Sequence, residues 1–287
     1  MNMNDKKYEK FRQREKRKKL NNLLQNLLLT FFVALFGFPI YWIFIGAFKE
    51  KGEFFHFPPI FWVNHFSFEN FTSALSLGGS KGVVDSLIVA CIGTVLVVIL
   101  ALFAGYGLGR FKFGGPNLSF FVLSLLFAPP IIAVLPLFII FRYLKIVDSY
   151  IALIWSYFLI NLPFAIWLIK GFIEDLPEEI ESAALVDGYS RFGAFRKVTF
   201  PLIIPGVVVS ALFVFVFAWN EFLFALMFTR SNVRTLPVVL SELIGGHGIQ
   251  WGELSALSLI AIIPGVILVV FFQKYLVRGL TFGAVKG

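Results

Sequence analysis

Six stretches of this 287-residue chain contain no Lys, Arg, Asp or Glu: Leu20 to Phe48, Ser86 to Gly109, Phe113 to Phe141, Ser149 to Ile169, Val198 to Asn220 and Leu254 to Gln273. Their lengths are 29, 24, 29, 21, 23 and 20 residues. A helix rises 1.5 Å per residue, so about 20 apolar residues cross a hydrocarbon core roughly 30 Å thick. Every stretch is long enough to span. Lipid offers no partner to an exposed peptide group, so each span must satisfy its own backbone as a helix. A membrane β-barrel would show alternating strands of about 10 residues instead, and the sequence has none. The expected fold is an all-α, polytopic membrane protein with six transmembrane helices. Composition agrees, since 58% of the residues are hydrophobic and only 15% charged, against about 25% charged in soluble domains.

The charges fall in the connections. The first 19 residues carry nine Lys or Arg against Asp5, Glu9 and Glu15. With Tyr8 and Phe11 as their only aromatics they lack the interleaving of a nucleic-acid surface, and no nucleic-acid partner is expected. They read as a basic arm over 1–19 that sets topology and is drawn to anionic membrane lipid, and composition suggests disorder for about the first fifteen residues without deciding whether they fold. One transmembrane domain over 20–287 follows. With six helices both termini lie on one side, and placing that side in the cytoplasm collects 18 Lys and Arg there against 7 outside, as the positive-inside rule asks. The apolar stretch after the arm is too long for a secretory signal, and no small-residue cleavage site follows Gly37, Phe38 and Pro39, so the first helix is expected in the mature protein.

Cys91 is the only cysteine, which excludes an internal disulfide, and inside the second span it reads as a small core residue. His56, His65 and His247 fall on outer connections without metal-ligand spacing, so no metal site is expected. Between the first two spans, Lys49 to Val84 holds Phe57-Pro58-Pro59, Trp62, Asn64, His65 and Phe66, a composition suited to the headgroup level.

The connection from Lys170 to Pro201 reads KGFIEDLPEEIESAALVDGYSRFGAFRKVTFP, the pattern of two short helices joined at a glycine. Pro177 suits a first helical turn, and Glu178, Glu179 and Glu181 sit where the helix dipole favours negative charge. Gly188 supplies the left-handed residue that ends this helix, and Ser190 caps the next. Ile180, Ala183 and Ala184 share a face on which small side chains permit close approach. In the second helix Phe192, Phe195 and Val198 are expected to face the membrane while Arg191, Arg196 and Lys197 stay wet. Such a hairpin is either gripped by another protein or lies on the lipid surface.

Here the sequence resembles the permease subunits of bacterial ATP-binding cassette importers, in the carbohydrate branch to which the smaller maltose permease subunit belongs. That family carries a cytoplasmic loop of the form Glu-Ala-Ala, three residues, Gly, nine residues, Ile-x-Leu-Pro. This chain has Ser182-Ala183-Ala184, Gly188 and then Val198-Thr199-Phe200-Pro201 in the same register. Ser182 replaces the usual Glu, with Glu181 just before it. Trp219-Asn220-Glu221-Phe222, Asp85-Ser86, Ala104 to Phe111 and the tail Gln273 to Gly287 also resemble family stretches in family order.

The resemblance implies that the loop 170–201 is a coupling hairpin seated in a separate ATPase. Glu181, Ser182, Ala183, Ala184, Asp187, Gly188 and Pro201 would form the docking loop, with polar contacts from Glu181 and Asp187. It further implies a second permease subunit forming a heterodimer, two ATP-binding subunits, an extracytoplasmic solute-binding protein, a sugar substrate and a bacterial inner-membrane location. No catalytic residue is expected and no cofactor in this chain; ATP and Mg would be used by the partner ATPase, since no phosphate-binding G-x-x-x-x-G-K-[ST] occurs. Gly105, Gly107 and Gly109 read as helix-packing glycines.

Polar groups inside spans face a cavity or a partner by default. Asn161, Asn220 and Glu221 are therefore candidates for the translocation path or its gate; pairing of Glu221 with a basic residue of the partner permease is the alternative. Pro129, Pro130, Pro136, Pro163 and Pro264 are expected to break spans three, four and six. Trp155, Tyr157, Trp167 and Trp251 suit either sugar stacking or membrane-interface anchoring. An ion-coupled carrier would need repeated halves with membrane-embedded acids or bases in matching positions, and no repeat is evident. Import of a polyol, glycerol phosphate or peptide is the alternative to sugar within the leading class.

Overall fold

The computed structural model describes residues 3–63, 65–245 and 248–281, with side chains from Lys18 to Tyr275 of these. Asn64, His247 and the tail residues 282–287 lie outside it. Helix is the only regular structure among the described residues.

Helix α1 (Met3–Phe48) carries the first span and continues back through the basic arm. Composition suggests disorder for about the first fifteen residues, but the helix takes them in from Met3 onward. Those residues include neither Gly nor Pro and are rich in Lys, Arg, Glu and Gln, all good helix formers, and extending a helix already nucleated at Leu20 costs little.

Helix α2 (Glu69–Ala74) passes through a π-turn over Leu75–Gly79 into α3 (Ser80–Arg110), the second span. Gly78 takes φ +107° within that turn, a conformation that favours glycine.

The third stretch is two helices, not one. α4 (Gly115–Ser124) and a 3-10 turn over Leu125–Phe127 meet α5 (Ile131–Tyr143) at 94°. Pro129 and Pro130 remove successive backbone donors at the bend. The pair still crosses the bundle. Leu118 and Val122 of α4 pack in the apolar cluster at one end, and Val134 and Phe141 of α5 pack in the cluster at the other.

Helix α6 (Tyr150–Glu174) is the fourth span, and the hairpin helices α7 (Glu178–Val186) and α8 (Arg191–Ala194) follow. A π-turn over Phe195–Thr199 joins α8 to α9 (Phe200–Trp219). The expected second hairpin helix is thus the first turn of the fifth span. Pro201 has no N–H, and the π-turn absorbs that missing donor. Two short helices, α10 (Leu223–Phe228) and α11 (Leu236–Glu242), precede α12 (Trp251–Thr281), the sixth span. Pro136, Pro163 and Pro264 sit inside continuous helices. Their predicted breaks do not occur, because a single lost hydrogen bond in a packed membrane helix is absorbed locally.

The end of α1 meets the start of α12, where a Cβ on Gly46 would come 2.7 Å from Ser255 Oγ. The two helices therefore run antiparallel, and α1 begins on the side where α12 ends. The centre of the bundle is α3, α6 and α9. Lipid supplies no hydrophobic drive between helices, so close backbone packing has to hold them. Cβ atoms on Gly105 and Gly109 would come within 3.1 Å of Lys170 N and Ile173 Cγ2, so these two glycines mark points of close approach within the wider contact between α3 and α6. Gly107 faces open space and drops out of the expected set. Cys91 is exposed, in line with Leu87 and Val95 on the outer face of α3, rather than in the core.

Candidate functional site

The hairpin is built from local rules. Pro177 precedes α7 at φ −54° and ψ 132°, and Glu178, Glu179 and Glu181 occupy the first turn. At its end Tyr189 N donates to Ala184 O and Gly188 N to Leu185 O, both at 3.1 Å, with Gly188 at φ +87°. This is a Schellman ending, which needs a left-handed residue at that point. Ser190 Oγ then accepts from Gly193 N at 3.1 Å and caps α8.

Four side chains and one carbonyl weld the hairpin to the bundle. Arg110, the last residue of α3, places Nε 3.2 Å from Glu181 Oε2 and donates from Nη1 to Leu176 O at 2.9 Å. Tyr106 Oη donates to Glu181 Oε1, and Thr199 Oγ1 donates to Oε2 at 3.1 Å. Glu181 is only 8% exposed. Its carboxylate turns into the bundle and is paired there, rather than standing on the outward face as the resemblance implies. It takes the inward position one residue before the family's Glu, and Ser182 is left exposed with Oγ donating to Glu178 O at 3.0 Å. Ala184 also turns inward, because it follows Glu181 by three residues and so shares its face. Phe195 is buried against Tyr106 at 4.5 Å between ring centroids rather than facing lipid. Ile180, Ala183, Val186, Tyr189 and Phe192 are among the side chains the hairpin presents outward, with the acidic Glu178, Glu179 and Asp187 and the basic Arg191, Arg196 and Lys197 around them. Arg110, Tyr106 and Thr199 were missed in the sequence. The one available signal was a basic residue closing a span that carried two packing glycines.

The path candidates separate. Asn161 is buried, and its Nδ2 donates to Tyr157 O at 2.8 Å within α6. It faces the chain's own interior, since the polar group is satisfied one helical turn back. Asn220 is exposed at the end of α9 and lines an apolar groove of about 460 Å³ between α9 and α12, with Trp219, Ala261 and Gly265 among its walls. Glu221 is half-buried, and its carboxylate accepts from Phe224 N at 2.9 Å and Ala225 N at 3.3 Å. It caps the start of α10. Tyr157 is buried and has no open face for a sugar, whereas Trp155 and Trp167 are half-exposed on α6. Trp251 lines a separate pocket at the start of α12 with Trp42 and Phe54.

At the end of the bundle opposite the hairpin, three side chains hold residues 230–236. Asp148 Oδ atoms accept from the N–H groups of Arg230, Ser231, Asn232 and Val233 at 2.9 to 3.2 Å. Burial alone would push the Asp148 carboxyl up, but the four donors outweigh it and hold the group below its ordinary value. Asp85 Oδ2 accepts from Arg234 N at 2.8 Å and Oδ1 from Tyr150 Oη at 2.7 Å, with Lys81 Nζ 3.0 Å away. Ser86 Oγ accepts from Leu236 N at 2.8 Å. Among the described residues no three His, Cys, Asp or Glu side chains are grouped to hold a metal.

Residues 97–282 match the family of binding-protein-dependent transport system inner membrane components. The chain is 34% identical to the probable ABC transporter permease YurM of Bacillus subtilis, over 91% of this chain and 87% of that one. It is 37% identical to the trehalose/maltose transport system permease MalG of Thermococcus litoralis, over 87% and 91%. The diacetylchitobiose uptake permease DasC of Streptomyces coelicolor is 35% identical over 87% of this chain and 92% of its own. In fold the chain is similar to a bacterial ABC transporter involved in alginate import, with a TM-score of 0.72 at 19% identity over 90% of this chain and 97% of that one. A match of this extent to the family, on a bundle of membrane helices, makes the chain a transport subunit rather than an enzyme: it belongs to the inner membrane components of binding-protein-dependent transport systems, the permeases of ABC importers.

Proposed function

We propose that this permease is one half of a heterodimer importing a sugar or short oligosaccharide, driven by two separate ATP-binding subunits and supplied by an external binding protein. The observation that carries the reading is the hairpin. Its outward surface combines Ile180, Ala183, Val186 and Phe192 with charged residues of both signs, while a buried ion pair fixes its base. Apolar side chains exposed beyond the bundle suit a protein cleft. Ala183 and Gly188 permit close seating there, and Asp187 supplies a polar contact. ATP and Mg belong to the partner ATPase.

The hairpin side is the cytoplasmic side, and both termini lie there, because the basic arm and the residues Arg110, Lys112, Lys170, Arg191, Arg196 and Lys197 gather on it. Asn220 and the groove between α9 and α12 line the translocation path or the partner permease. Relatives named for trehalose, maltose and diacetylchitobiose support a saccharide as the cargo.

Purification of the chain from detergent-solubilised native membranes tests this. The expected result is co-purification of a second permease and a nucleotide-binding subunit, with ATP hydrolysis stimulated by a sugar-loaded binding protein. Substrate uptake by this chain alone, without ATP, would overturn it. Stimulation by a polyol- or peptide-loaded binding protein would change the cargo and keep the mechanism.

A further inference from the structure

Helices α1 and α12 are the least covered of the continuous spans, with only 6% and 11% of their most apolar stretches buried within the chain. Where the end of α1 meets the start of α12, a pocket of about 490 Å³ lies between them, lined by Trp42, Phe54, Trp251, Leu254 and Ser258 together with one charged residue, Lys49. Ser73 of α2 donates to Glu253 of α12 at 3.1 Å, and α2 leads into the start of α3, so the pocket is at the end of the bundle opposite the hairpin.

A lysine at the end of a span ordinarily snorkels to water. Lys49 follows the last residue of α1 and is only 3% exposed. Its Nζ donates to Ile60 O at 2.6 Å and stands 4.6 Å from the centroid of the Trp42 ring. An ammonium has three donors, yet among the described residues Ile60 O is the single acceptor and no carboxylate pairs with it; Glu69 and Glu253 pair with Lys51 instead. Burial holds the Lys49 ammonium below its ordinary pKa, against a weaker pull from Glu53. A buried cation without a counter-ion is costly, and an anion in the pocket would compensate it. The segment after Lys49 suits a membrane surface. Tyr41 Oη donates to Phe61 O, which with the Lys49 bond fastens residues 60 and 61 to α1. Phe55, Phe57 and Trp62 remain 81%, 91% and 71% exposed. Aromatic rings just past the end of a span belong at the headgroup level, the depth at which a lipid phosphate meets its chains.

We propose that this pocket is a binding site for one anionic phospholipid of the leaflet on that side, with its phosphate on Lys49 Nζ and an acyl chain along Trp42, Trp251 and Leu254 between α1 and α12. The buried cation supplies charge complementarity for the phosphate, and the apolar walls supply a lining for the chain in a cavity of ordinary ligand size. The site depends neither on the ATPase drive nor on the cargo.

The test titrates phosphatidylglycerol into the transporter, purified from native membranes and delipidated in detergent, and follows its thermal midpoint. A saturable rise of about 5 °C is expected once the lipid is in hundredfold excess over its dissociation constant. Diacylglycerol, which lacks the phosphate, and inorganic phosphate, which lacks the chains, should give no such rise. Lys49→Met should lose the rise and Lys49→Arg, which keeps the charge, should retain it. Ser258→Phe fills the pocket while leaving Lys49 bonded to Ile60, and should lose the rise too; it carries the test if Lys49→Met does not fold. No rise in the wild type, as when a helix of another subunit fills the pocket, would overturn the site. An equal rise with diacylglycerol or with inorganic phosphate, or a full rise in either Ser258→Phe or Lys49→Met, would overturn it as well.

Discussion

Nε of Arg110 stands 3.2 Å from Oε2 of Glu181, and both side chains are about nine-tenths buried. The contact is an ion pair rather than an aligned hydrogen bond, since Nε has no acceptor at hydrogen-bonding geometry. Tyr106 and Thr199 supply the directed bonds to the carboxylate, and Leu176 O takes the guanidinium. Each charge is thereby compensated where water barely reaches. Removing one partner of such a pair leaves the other uncompensated, at a cost of about 3–5 kcal/mol. Glu181→Gln should lower the thermal midpoint of the solubilised protein accordingly, and combining Arg110→Glu with Glu181→Arg should recover part of the loss. An additive double variant, with no recovery, would show that the pair does not interact as described.

Gly188 at φ +87° has open space around its missing Cβ, so the penalty for a side chain there is conformational and not steric. Gly188→Val is expected to strain the turn by roughly 1–2 kcal/mol, keep membrane insertion and lose transport while ATP hydrolysis continues. Gly188→Asn should be milder, because Asn visits the left-handed region readily. Uptake assays beside ATPase assays on both variants check this, and normal uptake in the Val variant would sink the coupling role.

Glycine-to-alanine substitutions along α3 should divide sharply. Gly105→Ala and Gly109→Ala push a methyl group to 3.1 Å from α6, an overpacking worth about 1–3 kcal/mol. Gly107→Ala meets nothing and should be neutral or slightly stabilising. Melting midpoints of the three single variants are the measurement.

Asp148 gives a pH dependence with a defined sign. Its carboxyl is held below the ordinary value in the folded state. The stabilisation is therefore present above the unfolded pKa and is lost as pH falls through the lower folded one. Melts of wild type against Asp148→Asn from neutral to strongly acidic pH should converge in acid, with the variant the less stable at neutral pH. A constant difference across that range would remove Asp148 from the account.

Glu221 bears on the path. As the carboxylate that caps α10, its replacement by Ala should cost about 1 kcal/mol, whereas Glu221→Gln keeps an acceptor and removes the charge. Changed half-saturation for uptake in the Gln variant, at unchanged stability, is expected if the charge faces the path. Unchanged uptake would leave Glu221 a helix cap only.

The spans, the hairpin and its Gly188 and Ser190 caps were legible in the sequence, because charge exclusion and capping are local effects that a few neighbouring residues decide. The sequence also marked Pro129 and Pro130, where two adjacent missing donors leave too little helix to continue, but the equally apolar surroundings of Pro136, Pro163 and Pro264 hid that those helices would hold. What it could not display was direction. Glu181 and Asp187 are both acidic residues of one short loop, yet Glu181 enters the bundle and Asp187 does not. That choice depends on Arg110 and Tyr106 arriving from a helix some seventy residues earlier. Asn161 divides the two: its partner, the carbonyl of Tyr157 one turn back in α6, is local, whereas its burial among the other helices is a tertiary outcome. Sequence alone determined that this chain enters the membrane and where its backbone turns. The pairing of buried charges, the seat of the hairpin and the clasp on residues 230–236 were decided by tertiary structure, because electrostatic and packing energies depend on distances between helices that no local pattern encodes.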